Sequence, residues 1–268
     1  PNPLNGLAAD TDFSVSGDLT LNLGGYVLVA GGFSVEKTSQ TGVDLLDDAV
    51  LVNLDLLTIS LTDVNLFVGT GGVFDTSVEG NYSINTDDAT GFSVTNANLY
   101  LAIASVTNPT PENPPADTRR WTGIAASADD MTIAGLPSDF DLHVYNLNVL
   151  VNSASGVGAD PINWSVLVDA PNPLNGLAAD TDFSVSGDLT LNLGGYVMVA
   201  GGFSIEKTSQ TGVDLGSNGI LNIDLLTIEL TDVNLFVGTG GVFDTTTDPE
   251  NISIDTAEAT GFSVTDAD

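Results

Sequence analysis

Two carboxylates one residue apart, Asp10 and Asp12, stand just before an alternating apolar run, and the pair returns as Asp180 and Asp182. Asn5 and Gly6 lie close by, and alternate-position oxygens in a glycine-containing loop can converge on Ca²⁺, which takes several hard oxygen ligands. We therefore expect a cation, with Ca²⁺ first, at Asp10, Asp12, Asp180 and Asp182. The spacing lacks the full D-x-[DN]-x-[DN]-G loop, so a solvated aspartate pair that caps a turn is the competing reading. Asp87-Asp88, Asp129-Asp130 and Asp139-x-Asp141 are weaker pairs of the same kind. Carboxylates this plentiful admit a glycosidase acid/base pair by residue type, but aromatics, which stack sugars in such sites, make up only 7% of the chain.

The remaining reactive side chains are few. His143 is the only histidine and cysteine is absent, so neither a thiolate metal site nor a disulfide is available, and one histidine does not build a typical zinc centre. Its neighbours Ser138 and Asp141 do not give a triad, and we expect no catalytic residue and no enzyme. Gly69-Thr70-Gly71-Gly72 lacks the Lys-Ser/Thr and the helix start of a phosphate loop and reads as a turn. Arg119-Arg120 opens a strand beside Trp121, as an edge guard would. Lys37 and Lys207 follow the apolar side of their strands and should snorkel to solvent; the sharper reading is an isopeptide crosslink to a nearby Asn or Asp. Asn81, Asn163 and Asn251 head sequons, which matter only in a glycosylating secretory route.

The elements that must position these groups are strands. Phe13, Val15, Leu19, Leu21 and Leu23 alternate with Ser14, Ser16, Asp18, Thr20 and Asn22, a period of two that puts each set on its own face. Gly24-Gly25 then separates this run from the next and predicts a primed hairpin turn. The spacing predicts strands near 12–23, 26–37, 50–60, 62–69, 72–84, 91–105, 119–134, 139–152 and 162–169. After Phe92 and Val94 the alternation slips to Ala97, Leu99 and Leu101, which predicts a β-bulge near Asn96. The block FSVSGDLTLNLGGYVLVAGGFSVEK at Phe13–Lys37 returns at Phe183–Lys207 with only Leu28→Met198 and Val35→Ile205 changed, an offset of 183 − 13 = 170 residues. We read residues 1–170 as one complete unit, divisible into related halves 1–90 and 91–170, and 171–268 as a second, partial copy. Val168–Pro171 is then either a short linker or a loop within one continuous fold.

Charge narrows the partners. The chain carries 36 acidic and 4 basic residues, a formal net charge of −32, which excludes nucleic acid and disfavours anionic membrane surfaces. Such a surface attracts cations and suits a salty or calcium-containing medium; a halophile's cytoplasmic protein is the alternative source of such acidity. Apolar residues make up 42%, enough for a core, but no apolar run reaches membrane-helix length. An outer-membrane barrel would share the alternation, but tandem units of this length and sparse aromatic girdles count against it, and we expect no membrane insertion.

Runs such as GGFSVEK, LTISLTDVNLFVGTGG and ATGFSVTNANLYLAIAS resemble the β-rich repeats of very large secreted bacterial surface proteins, adhesin-like or RTX-associated chains. The RTX nonapeptide GGxGxDxUx is missing, so no β-roll is implied and no functional residue carries over. The expected fold is all-β: a tandem repeat of elongated antiparallel β-sandwich or β-solenoid-like units with long strands. The expected role is a non-catalytic fibre, stalk or adhesin segment, secreted to the cell surface, with a carbohydrate- or surface-binding module as the alternative, its glycan taken near 106–121. The expected partners are neighbouring copies of the repeat, joined head to tail into a homopolymer or long array.

Overall fold

The structure is a computed structural model that describes residues 8–45, 50–75, 83–107, 117–137, 139–214, 216, 219–244 and 252–268. It is all-β. Ten strands form one open antiparallel sheet: β1 (Thr11–Leu23), β2 (Val27–Asp44), β3 (Leu51–Thr70), β6 (Thr90–Val106), β7 (Arg120–Ala134), β8 (Phe140–Ser155), β9 (Thr181–Leu193), β10 (Val197–Asp214), β11 (Ile220–Thr239) and β14 (Thr260–Ala267). They lie side by side in chain order, a pure meander of antiparallel neighbours. Two small hairpins, β4 (Val73–Asp75) with β5 (Ser83–Asn85) and β12 (Val242–Asp244) with β13 (Ser253–Asp255), stand outside the sheet. The seam between the sequence copies is no linker: β8 pairs with β9, Val151 opposite Phe183, and the sheet runs straight through it.

The turns follow from glycine. Gly24 and Gly25 both take positive φ, +63° and +77°, as a primed turn requires, and Asn22 Oδ1 accepts from the Gly25 N–H at 2.8 Å. Gly194 and Gly195 repeat the conformation. Register then places each face. One row of cross-strand neighbours reads Val15, Val35, Ile59, Leu101, Ile124, Val151, Phe183, and a second reads Leu21, Val29, Leu66, Val94, Met131, Val144, Leu189. The opposite face carries Ser16, Ser34, Ser60, Tyr100, Ala125, Leu150, Ser184 in one row. One face is thus apolar from strand to strand, while the other is polar except at its centre.

That centre holds the main core. Residues between β8 and β9 make two 3-10 turns, Trp164–Val166 and Asn172–Gly176, and lay Ile162, Trp164, Leu167, Leu174 and Leu177 over Leu56, Ala104, Trp121 and Ala125. A smaller cluster sits where Phe74 and Ile84 of the β4–β5 hairpin cover Leu28 and Phe67 on the same face. Both covers occupy the polar side, so the apolar side gains no covering element among the described residues.

Several predicted strands are corrected. The runs 50–60 and 62–69 are one strand, β3, kinked at Asp63 (φ +52°), while 72–84 shows β4 and β5 at its two ends and its middle, 76–82, lies outside the described residues. The run 162–169 is not a strand. Asn163 caps a 3-10 turn there by accepting from the Ser165 N–H at 3.1 Å, and burial of Trp164 against the sheet wins over local alternation. The bulge at Asn96 is present, with φ +49° and an extra residue between Val94 and Ala97 facing Leu66 and Val64. Asn and Asp tolerate this left-handed conformation better than other non-glycine residues.

Candidate functional site

Lys37 ends the apolar row of β2, and the register puts it opposite Phe13 and Leu57. Its ammonium reaches two carboxylates, Asp12 at 2.7 Å and Asp55 at 3.0 Å, and Ser39 Oγ lies within donating distance of either, 3.2 Å from Asp12 and 3.1 Å from Asp55. Lys207 repeats the arrangement with Asp182 at 2.6 Å and Asp224 at 3.1 Å. Hydrogen bonding from Lys37 holds Asp12 below the usual carboxylate range, and the hydrogen bonds Lys37 donates to Asp12 and then Asp55 raise it above the usual lysine value. The Asp-x-Asp pairs are therefore divided: Asp12 and Asp182 serve a lysine, while the backbone carbonyls of Asp10 and Asp180 accept from the Ser39 and Ser209 N–H groups. No group of three or more His, Cys, Asp or Glu placed to hold a metal occurs among the described residues. An isopeptide step needs a neutral amine, whereas the hydrogen bonds to both carboxylates favour the charged ammonium.

His143 has more company than its sequence neighbours suggested. It lies on the polar face between Thr132 of β7 and Thr190 of β9, with Nδ1 at 3.0 Å from Asp130 and Nε2 at 3.0 Å from Asp141. Tyr145 stacks on the ring, centroids 5.2 Å apart. The hydrogen bond to Asp130 raises the imidazole pKa, burial opposes it, and the Asp141 charge adds to the rise. Burial raises the Tyr145 hydroxyl. The weak pairs Asp129-Asp130 and Asp139-x-Asp141 thus contribute one carboxylate each to a histidine rather than closing on a cation. Thr132 Oγ1 lies 3.5 Å from Nε2, and the group as a whole can exchange protons and pair charge.

The face cover is fixed by a polar lock that the sequence reading missed. Asn152 of β8 donates to the Ile162 carbonyl at 2.9 Å and the Ala178 carbonyl at 2.8 Å, and its Oδ1 accepts from Trp164 Nε1 at 3.0 Å. Trp121 Nε1 donates to the Asp160 carbonyl at 2.8 Å. Both indoles are fully buried. Gly123 makes room for the second one, since a Cβ there would lie 2.6 Å from the Trp164 ring. Two tryptophans and a paired asparagine in an otherwise aromatic-poor stretch were the available signal. Beside the cover, a cleft of about 490 Å³ runs between the end of β2 and residues 166–169, bridged by Gln40 Nε2 donating to Asp169 at 3.1 Å.

The loop read as a glycan site lies in part outside the described residues; its described end shows Arg119 forked onto Asp117 at 2.8 Å and stacked over Trp121 at 5.6 Å. Asn81 and Asn251 also lie outside them, while Asn163 is the cap of the first 3-10 turn. No protein-family model, curated protein or solved structure matches the chain.

Proposed function

We propose that the chain is a non-catalytic structural repeat, part of a secreted cell-surface fibre, stalk or adhesin, in which successive copies add strands to one continuous sheet. The observation that carries this reading is the β8–β9 pairing across the seam. Beyond it the second copy repeats the first: Phe183 faces Lys207 as Phe13 faces Lys37, and Val185 faces Ile205 as Val15 faces Val35. Five sheet strands lie between β1 and β9, so the sheet repeats every six strands and growth copy by copy keeps every face where it was. An edge-to-edge join of long hydrogen-bonded strands transmits load along many backbone bonds in parallel. The acidic polar face suits an ion-rich medium outside the cell, and Ca²⁺ near Asp10, Asp12, Asp180 and Asp182 belongs to this proposal as a neutralising counter-ion.

The test varies copy number. Chains of one, two and three copies should melt at rising temperatures, because each added copy brings one more shared strand interface. Equal melting temperatures for all three would show self-contained beads and overturn the reading.

A further inference from the structure

We propose that the apolar face of the sheet lies against lipid hydrocarbon, so that this chain forms a lipid-facing wall at a membrane. The proposal reverses the expectation of no membrane insertion and goes beyond the structural role above.

The face has the properties lipid requires. Its rows hold Val, Leu, Ile and Phe on strand after strand, and among the described residues every cover packs on the other side. On β1 the apolar positions run from Phe13 to Leu23, about 35 Å along the strand at roughly 3.3 Å per residue. With the usual tilt of about 45° that becomes about 25 Å, the height of the lipid-facing band of membrane β-sheets. The face is also smooth. The Phe33 ring lies over Gly17 and the Phe203 ring over Gly187, each about a van der Waals contact from where a Cβ would be. A flat ring over a glycine fills a gap without leaving a knob for a facing sheet to grip.

The margins fit as well. At the upper one, Tyr26 and Tyr196 stand exposed at the hairpin turns, with Phe92, Phe140 and Phe262 at the adjoining strand ends. Amphipathic and aromatic rings at one level are what a membrane interface selects. At the lower one Lys37 and Lys207 lie opposite Phe13 and Phe183, where the apolar rows of β1 and β9 begin, and Arg120 opens β7. Each lysine can rest its stem on the apolar band and hold its ammonium at the polar edge, where headgroup phosphates sit. Charge separates hydrocarbon from a second copy as occupant. A face-to-face pair would bring together two chains of net charge −32 with their Asp12, Asp55, Asp182 and Asp224 margins, whereas hydrocarbon presents no charge. In lipid the free edges must be hydrogen-bonded, so β1 and the part of β11 that β14 leaves unpaired would join each other or neighbouring copies.

The chain has no cysteine, which makes single-cysteine labelling clean. The whole chain would be refolded from urea into phosphatidylcholine vesicles, with cysteine placed at Val35, Leu101 or Val149 on the apolar face and at Ser34, Ser60 or Ser184 on the polar face. A water-soluble maleimide should label the apolar set at least tenfold more slowly than the polar set, and only in vesicles. Bromine carried in the acyl chains should quench a Leu101→Trp variant while Trp121 and Trp164, buried on the other face, keep their emission. A protein that stays in the lipid-free fraction on flotation, with strand content intact by circular dichroism, overturns the proposal. So does equal protection without lipid in a stoichiometric dimer, which would assign the face to a second copy.

Discussion

His143 is held by Asp130 and Asp141 from two strands, and the sign of its effect follows from the raised pKa. A raised folded value means that protonation stabilises the fold fully below the ordinary value of 6.5 and that this contribution is lost as pH rises through the folded value. Wild type should therefore lose melting temperature relative to His143→Gln as pH rises above 6.5, with the two curves converging at the alkaline end of that loss. Parallel curves throughout would show that the carboxylates do not favour the charged ring. At Asp12 and Asp182 the lysines already neutralise one carboxylate of each pair, which leaves Asp10 and Asp180 as the weakly held positions. Millimolar Ca²⁺ should still raise the melting temperature more than Na⁺ at matched ionic strength, and Asp10→Asn with Asp180→Asn should reduce the difference. No change on adding EDTA and excess Na⁺ removes Ca²⁺ from the account.

Among the elements, the cover between β8 and β9 is the one most exposed to single changes. Asn152 satisfies two carbonyls and one indole at once, so Asn152→Ala leaves three buried polar groups without it, at about 1–3 kcal/mol for each that finds no water. Gly123→Ala acts by overpacking: the new methyl meets the Trp164 ring, and a cost of about 1–3 kcal/mol is expected. Urea unfolding of both variants checks this, and a midpoint unchanged in each would mean that the cover does not fold with the sheet. The bulges need no such cover. Asp63 and Asn96 interlock through Asn65 and Asn98, where the Asp63 N–H donates to Asn98 at 3.2 Å and the Asn96 N–H to Asn65 at 3.4 Å. The second copy repeats this with Asp232, Asp266, Asn234 and Asp268, so the extra residues on facing strands compensate and register recovers on both sides.

For the whole molecule the open sheet is the governing fact. Among the described residues β1 and β14 each keep one unpaired edge, and β11 is paired to β14 only from Val233 to Thr239, with Leu226, Ile228 and Leu230 exposed below. Unpaired edges flanking a bare apolar face favour association. In lipid-free buffer, static light scattering across a concentration series should therefore give a mass that grows with concentration and does not level off at a dimer, since edge-to-edge contacts need not close. A compact monomer at every concentration would mean that the edges are protected and would remove chain-to-chain pairing as the route by which copies join.

Strand and turn were legible in the sequence because they are local. The period of two at Phe13–Leu23 dictates two faces, Gly24-Gly25 supplies the positive φ of the turn, and the slip after Val94 locates the bulge at Asn96. The tandem identity of Phe13–Lys37 and Phe183–Lys207 likewise fixed that equivalent pairs would share a register. Three matters were decided only in three dimensions. The apolar run at Ile162–Leu167 has the alternation of a strand, yet Trp164 gains more from burial over Gly123 and a bond to Asn152 than from a ladder, and partners this distant leave no local trace. Asp130 and Asp141 reach His143 only because β7 and β8 pair with Thr132 opposite it, a register set by the whole hairpin. Above all, alternation says that a strand has an apolar side but not what covers it. Among the described residues every cover goes to the polar face, because the buried tryptophans and the small hairpins lie there, and only the folded sheet shows that the large apolar face has none.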